Sequence, residues 1–110
     1  MVKHVILWKL KEELTAEEKE NVKAGIKEGL EGLAGKVPGL VDVKVNINGL
    51  PTSTVDVMLD TTFTDADALK AYSTNPLHVA VADGKVRPYT AVRSCLDSVS
   101  YTHLTLPTKA

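Results

Sequence analysis

The segment from residue 3 to residue 10 constrains the fold of this chain most, because both of its faces are apolar. It is short and rich in β-branched and aromatic residues, which predicts a β-strand. Its alternating positions place His4, Ile6, Trp8 and Leu10 on one face, and Val5, Leu7 and Lys9 on the other. Both faces therefore need cover from other parts of the protein. The chain has 110 residues, which is enough for one domain.

The next segment predicts a helix with a well-defined start. Thr15 followed by Glu18 is a capping box, and apolar residues recur at helical spacing at Val22, Ile26, Leu30 and Leu33. Gly35 and Pro38 are expected to end this helix. A glycine inside a helix costs roughly 0.5–1 kcal/mol relative to alanine. We therefore expect close packing against the sheet to explain the helical glycines, which are Gly25, Gly29 and Gly32.

The rest of the chain predicts three more strands and further helical segments. Apolar and polar residues alternate over residues 40–47 and 54–63, which indicates an antiparallel hairpin. A short helix is expected to start at Asp65 and to break at Pro76, because proline lacks an amide proton. A further helical piece over residues 77–86 and a strand over residues 89–97 complete the order β-α-β-β-α-β. This is the order of an α+β, ferredoxin-like domain, a four-stranded antiparallel sheet with helices on one face.

Composition excludes several classes of protein. The net charge is −1, so there is no basic excess with which to bind nucleic acid. The single cysteine, Cys95, excludes an intrachain disulfide and any site made of several thiolates. No apolar run is long enough to cross a bilayer and no signal-peptide pattern opens the chain, so we expect a cytoplasmic protein without membrane contact. No metal-binding or phosphate-binding spacing occurs, so we expect neither a metal site nor a cofactor.

The predicted sheet leaves one face without helices. On strands 1 and 3 this face carries apolar side chains, among them Val5, Leu7 and Met58. Exposed apolar patches of this kind mark an interface or a ligand site. We therefore expect the chain to pair with a second copy of itself through its sheet.

Several motifs together resemble one known family. Tyr72, the pair Asn75-Pro76 and His78 follow one another closely, and His4 lies in the first strand. With the run from Val37 to Leu40, they are similar to the stress-responsive dimeric A/B barrel domain, or Dabb, family over residues 1–98. The resemblance implies ferredoxin-like protomers that pair through their sheets into a dimeric α/β barrel with the helices outside.

The resemblance also implies a candidate site. A characterised activity of the family is polyketide cyclisation by a plant olivetolic acid cyclase, in which a tyrosine and a histidine form an acid/base pair. These residues match Tyr72 and His78 here, and the first-strand histidine that borders the pocket matches His4. The apolar pocket lining implied by the resemblance is Ile6, Trp8, Val22, Ile26 and Leu59. Aromatic residues that line the cyclase pocket on helix 1 are replaced here, so the same substrate is not expected.

Two functions remain open from the sequence. His78 has the side chain whose ordinary pKa suits a base near neutral pH, and the hydroxyl of Tyr72 can donate to a developing enolate oxygen. Alternatively, His78 can hydrogen-bond the chain near Pro76, and Tyr72 can be a core aromatic. The sequence thus predicts either a homodimer that binds a small hydrophobic molecule without catalysis or a cofactor-independent enzyme acting on a hydrophobic carbonyl compound. An enclosed cavity touching Tyr72, His78 and His4 would favour the enzyme.

The last residues do not continue the domain pattern. Residues 99–110 look like translated sequencing-adapter sequence, so we interpret them as an artefactual tail outside the domain. The alternative is a native extension that packs on a partner protomer.

Overall fold

The sheet has the predicted ferredoxin-like topology. The computed structural model of the protein describes residues 1–99, and the rest of the predicted tail, residues 100–110, lies outside the described residues. The four strands are antiparallel and lie in the order β2-β3-β1-β4. Their bounds are β1 Val2–Leu10, β2 Leu40–Asn46, β3 Val57–Phe63 and β4 Thr90–Val99. The two strands rich in apolar residues, β1 and β3, therefore lie side by side in the centre.

The helices are α1 Ala16–Glu31, α2 Ala66–Thr74 and α3 Pro76–Val81. A π-helical turn, Ala82–Val86, and a 3₁₀ turn, Arg87–Tyr89, connect α3 to β4. None of the helices within residues 1–99 combines the length and the hydropathy that a membrane span requires.

The start of α1 is the predicted capping box. The backbone N–H of Glu18 donates to Thr15 Oγ1 at 3.1 Å, and the N–H of Thr15 donates to Glu18 Oε1 at 2.8 Å. The helix ends at Glu31, earlier than Gly35 and Pro38 predict, because the chain turns at Gly32. Leu33 is still buried, but it reaches the core from this turn.

The core lies between the helices and one face of the sheet. His4, Ile6, Trp8 and Leu10 of β1 are all buried against it, as their alternation predicts. The opposite face of β1, with Val5, Leu7 and Lys9, is only partly buried. We call the sheet face without helices the open face. Its apolar residues on β3, β1 and β4 are Val5, Leu7, Met58, Val92 and Leu96.

Strand β2 departs from simple alternation. Leu40 pairs with Phe63 and Asp42 pairs with the next residue of β3, so Val41 is an extra residue in a β-bulge. The bulge turns Leu40 into the core and leaves Val41 half exposed, at 50%. Strict alternation would place Val41 on the same buried face as Val45, and the bulge explains why Val41 is exposed instead.

A glycine of α1 allows another helix to approach closely. A Cβ built on Gly29 would lie 2.8 Å from Val81 Cγ1, which is closer than side chains can come. The close packing predicted for the helical glycines therefore exists at Gly29, but its partner is α3 and not the sheet. Gly25 has its nearest neighbour at 4.0 Å and makes no such approach.

Candidate functional site

A cavity of about 130 Å³ lies between the sheet and the helices α2 and α3. Tyr72, His78 and His4 all line it, so the structure brings the three predicted polar residues together. Ile6 and Trp8 line it as well, on the same face of β1 as His4. This is the helix-covered face, so the cavity belongs to a single protomer and is separate from the open face.

The break between α2 and α3 positions the aromatic pair. Asn75 has an extended backbone between the two helices, and its side chain accepts a hydrogen bond from the N–H of Leu77 at 2.9 Å. Pro76 follows as the first residue of α3, where its missing amide proton costs nothing. Tyr72 from the end of α2 and His78 from α3 consequently stack, with their ring centroids 4.1 Å apart.

Tyr72 is a buried hydroxyl donor. The residue is 1% exposed, and its ring packs 5.0 Å from that of Phe63, measured between centroids. Burial raises the pKa of Tyr72 to about 12, so the hydroxyl keeps its proton at neutral pH. Its oxygen has no hydrogen-bond partner among residues 1–99. A buried polar atom without a partner is rare in folded proteins.

His78 is a partly buried histidine whose neutral form is favoured. Burial lowers its pKa below the ordinary value of 6.5, and a backbone hydrogen bond with Ser73 opposes this shift. The positive charges of Arg87 and Arg93 lower it further. Nδ1 of the ring is buried and has no partner within the described part of the chain. In the neutral ring this nitrogen can accept a hydrogen bond.

His4 is anchored by a carboxylate that the sequence did not single out. His4 and Asp97 are directly opposite each other in the β1–β4 pairing, and His4 Nδ1 lies 2.5 Å from Asp97 Oδ1. This hydrogen bond is the main reason why the pKa of Asp97 is lowered. Asp97 thus fixes the ring of His4 through Nδ1, and His4 itself lines the cavity.

Two arginines add positive charge to the cavity. Arg87 and Arg93 are among its lining residues, from the 3₁₀ turn and from β4. Neither was predicted, since no local pattern marks them. The pairing of Trp8 with Arg93 across β1 and β4 would have been the signal, but it requires the strand register.

Three predicted pocket residues do not line this cavity. Ile26 and Leu59 are at most 1% exposed and fill the core between α1 and the sheet. Val22 lines a separate surface groove of about 320 Å³ between α1 and the π-helical turn. The cavity lies under α2 and α3, whereas these side chains lie on or beneath α1, and this separates them from Tyr72 and His78.

His4 also belongs to a second group of side chains, whose atoms are of the kinds that bind metal ions. Nδ1 of His4, Sγ of Cys95 and a carboxylate oxygen of Asp97 all lie within 4.8 Å of one another. His4 is buried, and the other two residues are exposed on the edge strand β4.

Together these features define a ferredoxin-like α+β domain with a buried tyrosine–histidine cavity. The family model of the Stress responsive A/B Barrel Domain, Dabb, matches residues 2–100, and the chain belongs to this family. Comparison with curated proteins yields no match.

Solved structures agree with this assignment. A dimeric protein of unknown function from Bacteroides fragilis is 33% identical with a TM-score of 0.83, covering 88% of this chain and 93% of that one. A Dabb family protein from Mesorhizobium loti is 17% identical with a TM-score of 0.69, covering 92% and 97%. A hydroxynitrile lyase from Passiflora edulis is 14% identical with a TM-score of 0.68, covering 94% and 95%. The last two show likeness of fold alone.

Proposed function

We propose that this protein binds a small carbonyl compound in the cavity and catalyses proton transfer on it without a cofactor. One observation carries the proposal. Tyr72 Oη and His78 Nδ1 are buried polar atoms with no partner among residues 1–99, and both residues line one cavity. A proton donor and a proton acceptor there suit chemistry next to a carbonyl group.

The proposed step is enolisation. Nδ1 of His78 takes a proton from the carbon next to the carbonyl. The electron pair of the broken C–H bond forms the new C=C bond, and the π pair of the carbonyl moves onto its oxygen. Tyr72 donates its hydroxyl hydrogen bond to that oxygen as negative charge develops on it. Arg93 contributes positive charge from the cavity wall, whereas the guanidinium of Arg87, which also lines the cavity, is paired with Asp83. The enolate is then reprotonated or attacks a second carbonyl carbon, as in an aldol cyclisation.

The cavity volume sets the size of the ligand. An engineered apolar cavity of roughly 150 Å³ holds benzene, and the cavity here measures about 130 Å³. A compound of about six non-hydrogen atoms therefore fits.

A non-catalytic binding protein is the second candidate. The rings of Tyr72 and His78 pack on each other, as they would in a purely structural contact. Binding of a small ketone without proton transfer would distinguish this candidate from the enzyme.

The homodimer belongs to the same proposal. The Bacteroides fragilis protein and two others, from Thermobifida fusca and Jannaschia, are described as dimeric. The open face here offers a surface for such pairing, since Val92 and Leu96 are 53% and 67% exposed. Pairing through this face leaves the cavity of each protomer intact, because the cavity is on the other side of the sheet.

Binding can be tested with cyclopentanone, which has six non-hydrogen atoms. We expect it to shift the amide NMR signals of residues around Tyr72 and His78, and cyclopentane to bind more weakly because it offers no oxygen to Tyr72. Tyr72→Phe should remove most of the difference between the two compounds. Equal binding of both compounds by the unsubstituted protein, or no binding, would contradict the proposal.

A further inference from the structure

We propose that His4, Cys95 and Asp97 form a binding site for a divalent transition metal ion of the zinc type at the edge of the sheet. The site has one nitrogen, one sulfur and one oxygen ligand, and its fourth position faces solvent. It is distinct from the tyrosine–histidine pair, although His4 belongs to both places.

The strand register builds the site. Asp97 is opposite His4 and Cys95 is opposite Ile6, so all three ligand side chains lie on one face of neighbouring strands. Cys95 and Asp97 lie 91 and 93 residues after His4 in the chain, which explains why no local motif in the sequence reveals the site. The edge position of β4 leaves Cys95 and Asp97 accessible to an ion from solvent.

Two of the three distances between the ligand atoms are close to those around a tetrahedrally coordinated metal ion. Bond lengths of about 2.3 Å to sulfur and 2.0–2.2 Å to nitrogen or oxygen give ligand–ligand edges of roughly 3.4–3.6 Å. Cys95 Sγ lies 3.8 Å from His4 Nδ1 and 3.5 Å from Asp97 Oδ1. These two edges already match within a few tenths of an ångström.

The third distance, from His4 Nδ1 to Asp97 Oδ1, has to increase when a metal ion binds. His4 Nδ1 and Asp97 Oδ1 are hydrogen-bonded at 2.5 Å, so an ion must displace the bonding proton and move the two atoms apart by about 0.9 Å. The side chain of Asp97 is 48% exposed, so it can rotate without disturbing the core. His4 stays in place, because its ring is packed against Phe63 and Tyr72.

The ligand types select the ion. A thiolate and an imidazole favour Zn²⁺ and Co²⁺ over the hard cations Mg²⁺ and Ca²⁺, which prefer oxygen ligands. Three protein ligands with an open fourth position resemble catalytic zinc sites more than closed structural ones.

Metal binding would also change the cavity, and this consequence rests on the proposed function. In the metal-free ring, Nδ1 carries the proton toward Asp97 and Nε2 is an acceptor. With an ion on Nδ1, the neutral ring carries its proton on Nε2 and becomes a donor. The ion would thus reverse the hydrogen-bonding role of His4 toward a bound ligand.

Cobalt tests the site, because Co²⁺ bound to a thiolate absorbs in the near ultraviolet. We expect one Co²⁺ per full-length chain under reducing conditions, with this absorption, and its displacement by Zn²⁺ but not by Mg²⁺. Cys95→Ser should abolish the band, and His4→Gln should weaken Co²⁺ binding at least tenfold, since even outer partners of metal ligands contribute about that much.

The chain provides matched controls. It has three histidines, so His78→Gln and His103→Gln should each keep the unsubstituted affinity. A protein that binds Co²⁺ without the thiolate band, or that loses binding with His103→Gln and keeps it with His4→Gln, would overturn the proposal. The cyclopentanone titration uses metal-free protein, so either proposal can fail while the other stands.

Discussion

Tyr72 and His78 show how burial alone can prepare a donor and an acceptor side by side. Desolvation opposes the charged form of each group, so it raises the pKa of Tyr72 and lowers that of His78. Both groups are then neutral near pH 7, and their ring centroids lie 4.1 Å apart. An exposed tyrosine or histidine would lack these shifts in pKa.

The raised pKa of Tyr72 can be measured directly. In an absorbance titration of tyrosinate, we expect one tyrosine to ionise at about pH 12, against about 10 for exposed tyrosines. Subtracting the titration of Tyr72→Phe should remove this late step alone. If the substitution instead removes a step near pH 10, the hydroxyl is not buried as described.

The lowered pKa of His78 predicts a pH-dependent stability. The folded state binds its proton less readily than the unfolded state, so the free energy of unfolding falls as the pH drops below about 6.5 toward the folded value. We expect urea unfolding of His78→Gln to lose this part of the pH dependence between about pH 7.5 and 5.5. An identical slope in both proteins would contradict a desolvated His78.

The sequence indicated some members of the site and not others. Tyr72, Asn75-Pro76 and His78 form a local motif, and His4 follows from the alternation of β1. Asp97 and Arg93 join the site only through the register of β4 on β1. Register depends on contacts between residues far apart in the chain, so no local pattern could have revealed them.

Helix boundaries that depend on a local sequence motif are the ones that the sequence predicts correctly. The capping box at Thr15 begins α1, and Pro76 separates α2 from α3, as predicted. The bulge at Val41 depends instead on how β2 fits against β3. Likewise, the role of Gly29 became visible only with α3 in place. Tertiary packing decides these details, and propensity does not.

The contact of α1 with α3 gives a paired test at two glycines. Gly25→Ala should stabilise the protein by roughly 0.5–1 kcal/mol, because alanine favours the helix and its nearest neighbour is 4.0 Å away. Gly29→Ala should destabilise it by about 1–3 kcal/mol through overpacking, since Val81 stands in the way. Chemical unfolding measures both changes. Equal effects of the two substitutions would mean that α3 does not pack on Gly29.

In the molecule as a whole, the two faces of the sheet have different roles. The helix-covered face holds the core and the cavity, and the open face carries partly buried apolar side chains beside the ion pair of Lys3 with Asp60. The apolar character of both faces of β1, visible in the sequence, thus predicts the core on one side and an assembly surface on the other.

Assembly can be tested on the open face. The chain has a mass of 11.8 kDa, and we expect light scattering to report twice that value. Leu7→Arg places a charge among the apolar residues of the open face, so it should produce a monomer. Leu50→Arg is the control, because Leu50 is 73% exposed outside the sheet. A monomer without substitution, or a dimer with Leu7→Arg, would count against pairing through this face.

The central claim is that the cavity transfers a proton next to a carbonyl group. The most direct measurement is exchange of the α-hydrogens of cyclopentanone for deuterium in D₂O, followed by NMR with metal-free protein. We predict exchange well above the buffer rate, lowered about 10²–10⁴-fold by His78→Gln and substantially by Tyr72→Phe, with Leu50→Arg as active as the unsubstituted protein. Exchange at the buffer rate, or exchange that survives His78→Gln unchanged, would contradict the claim.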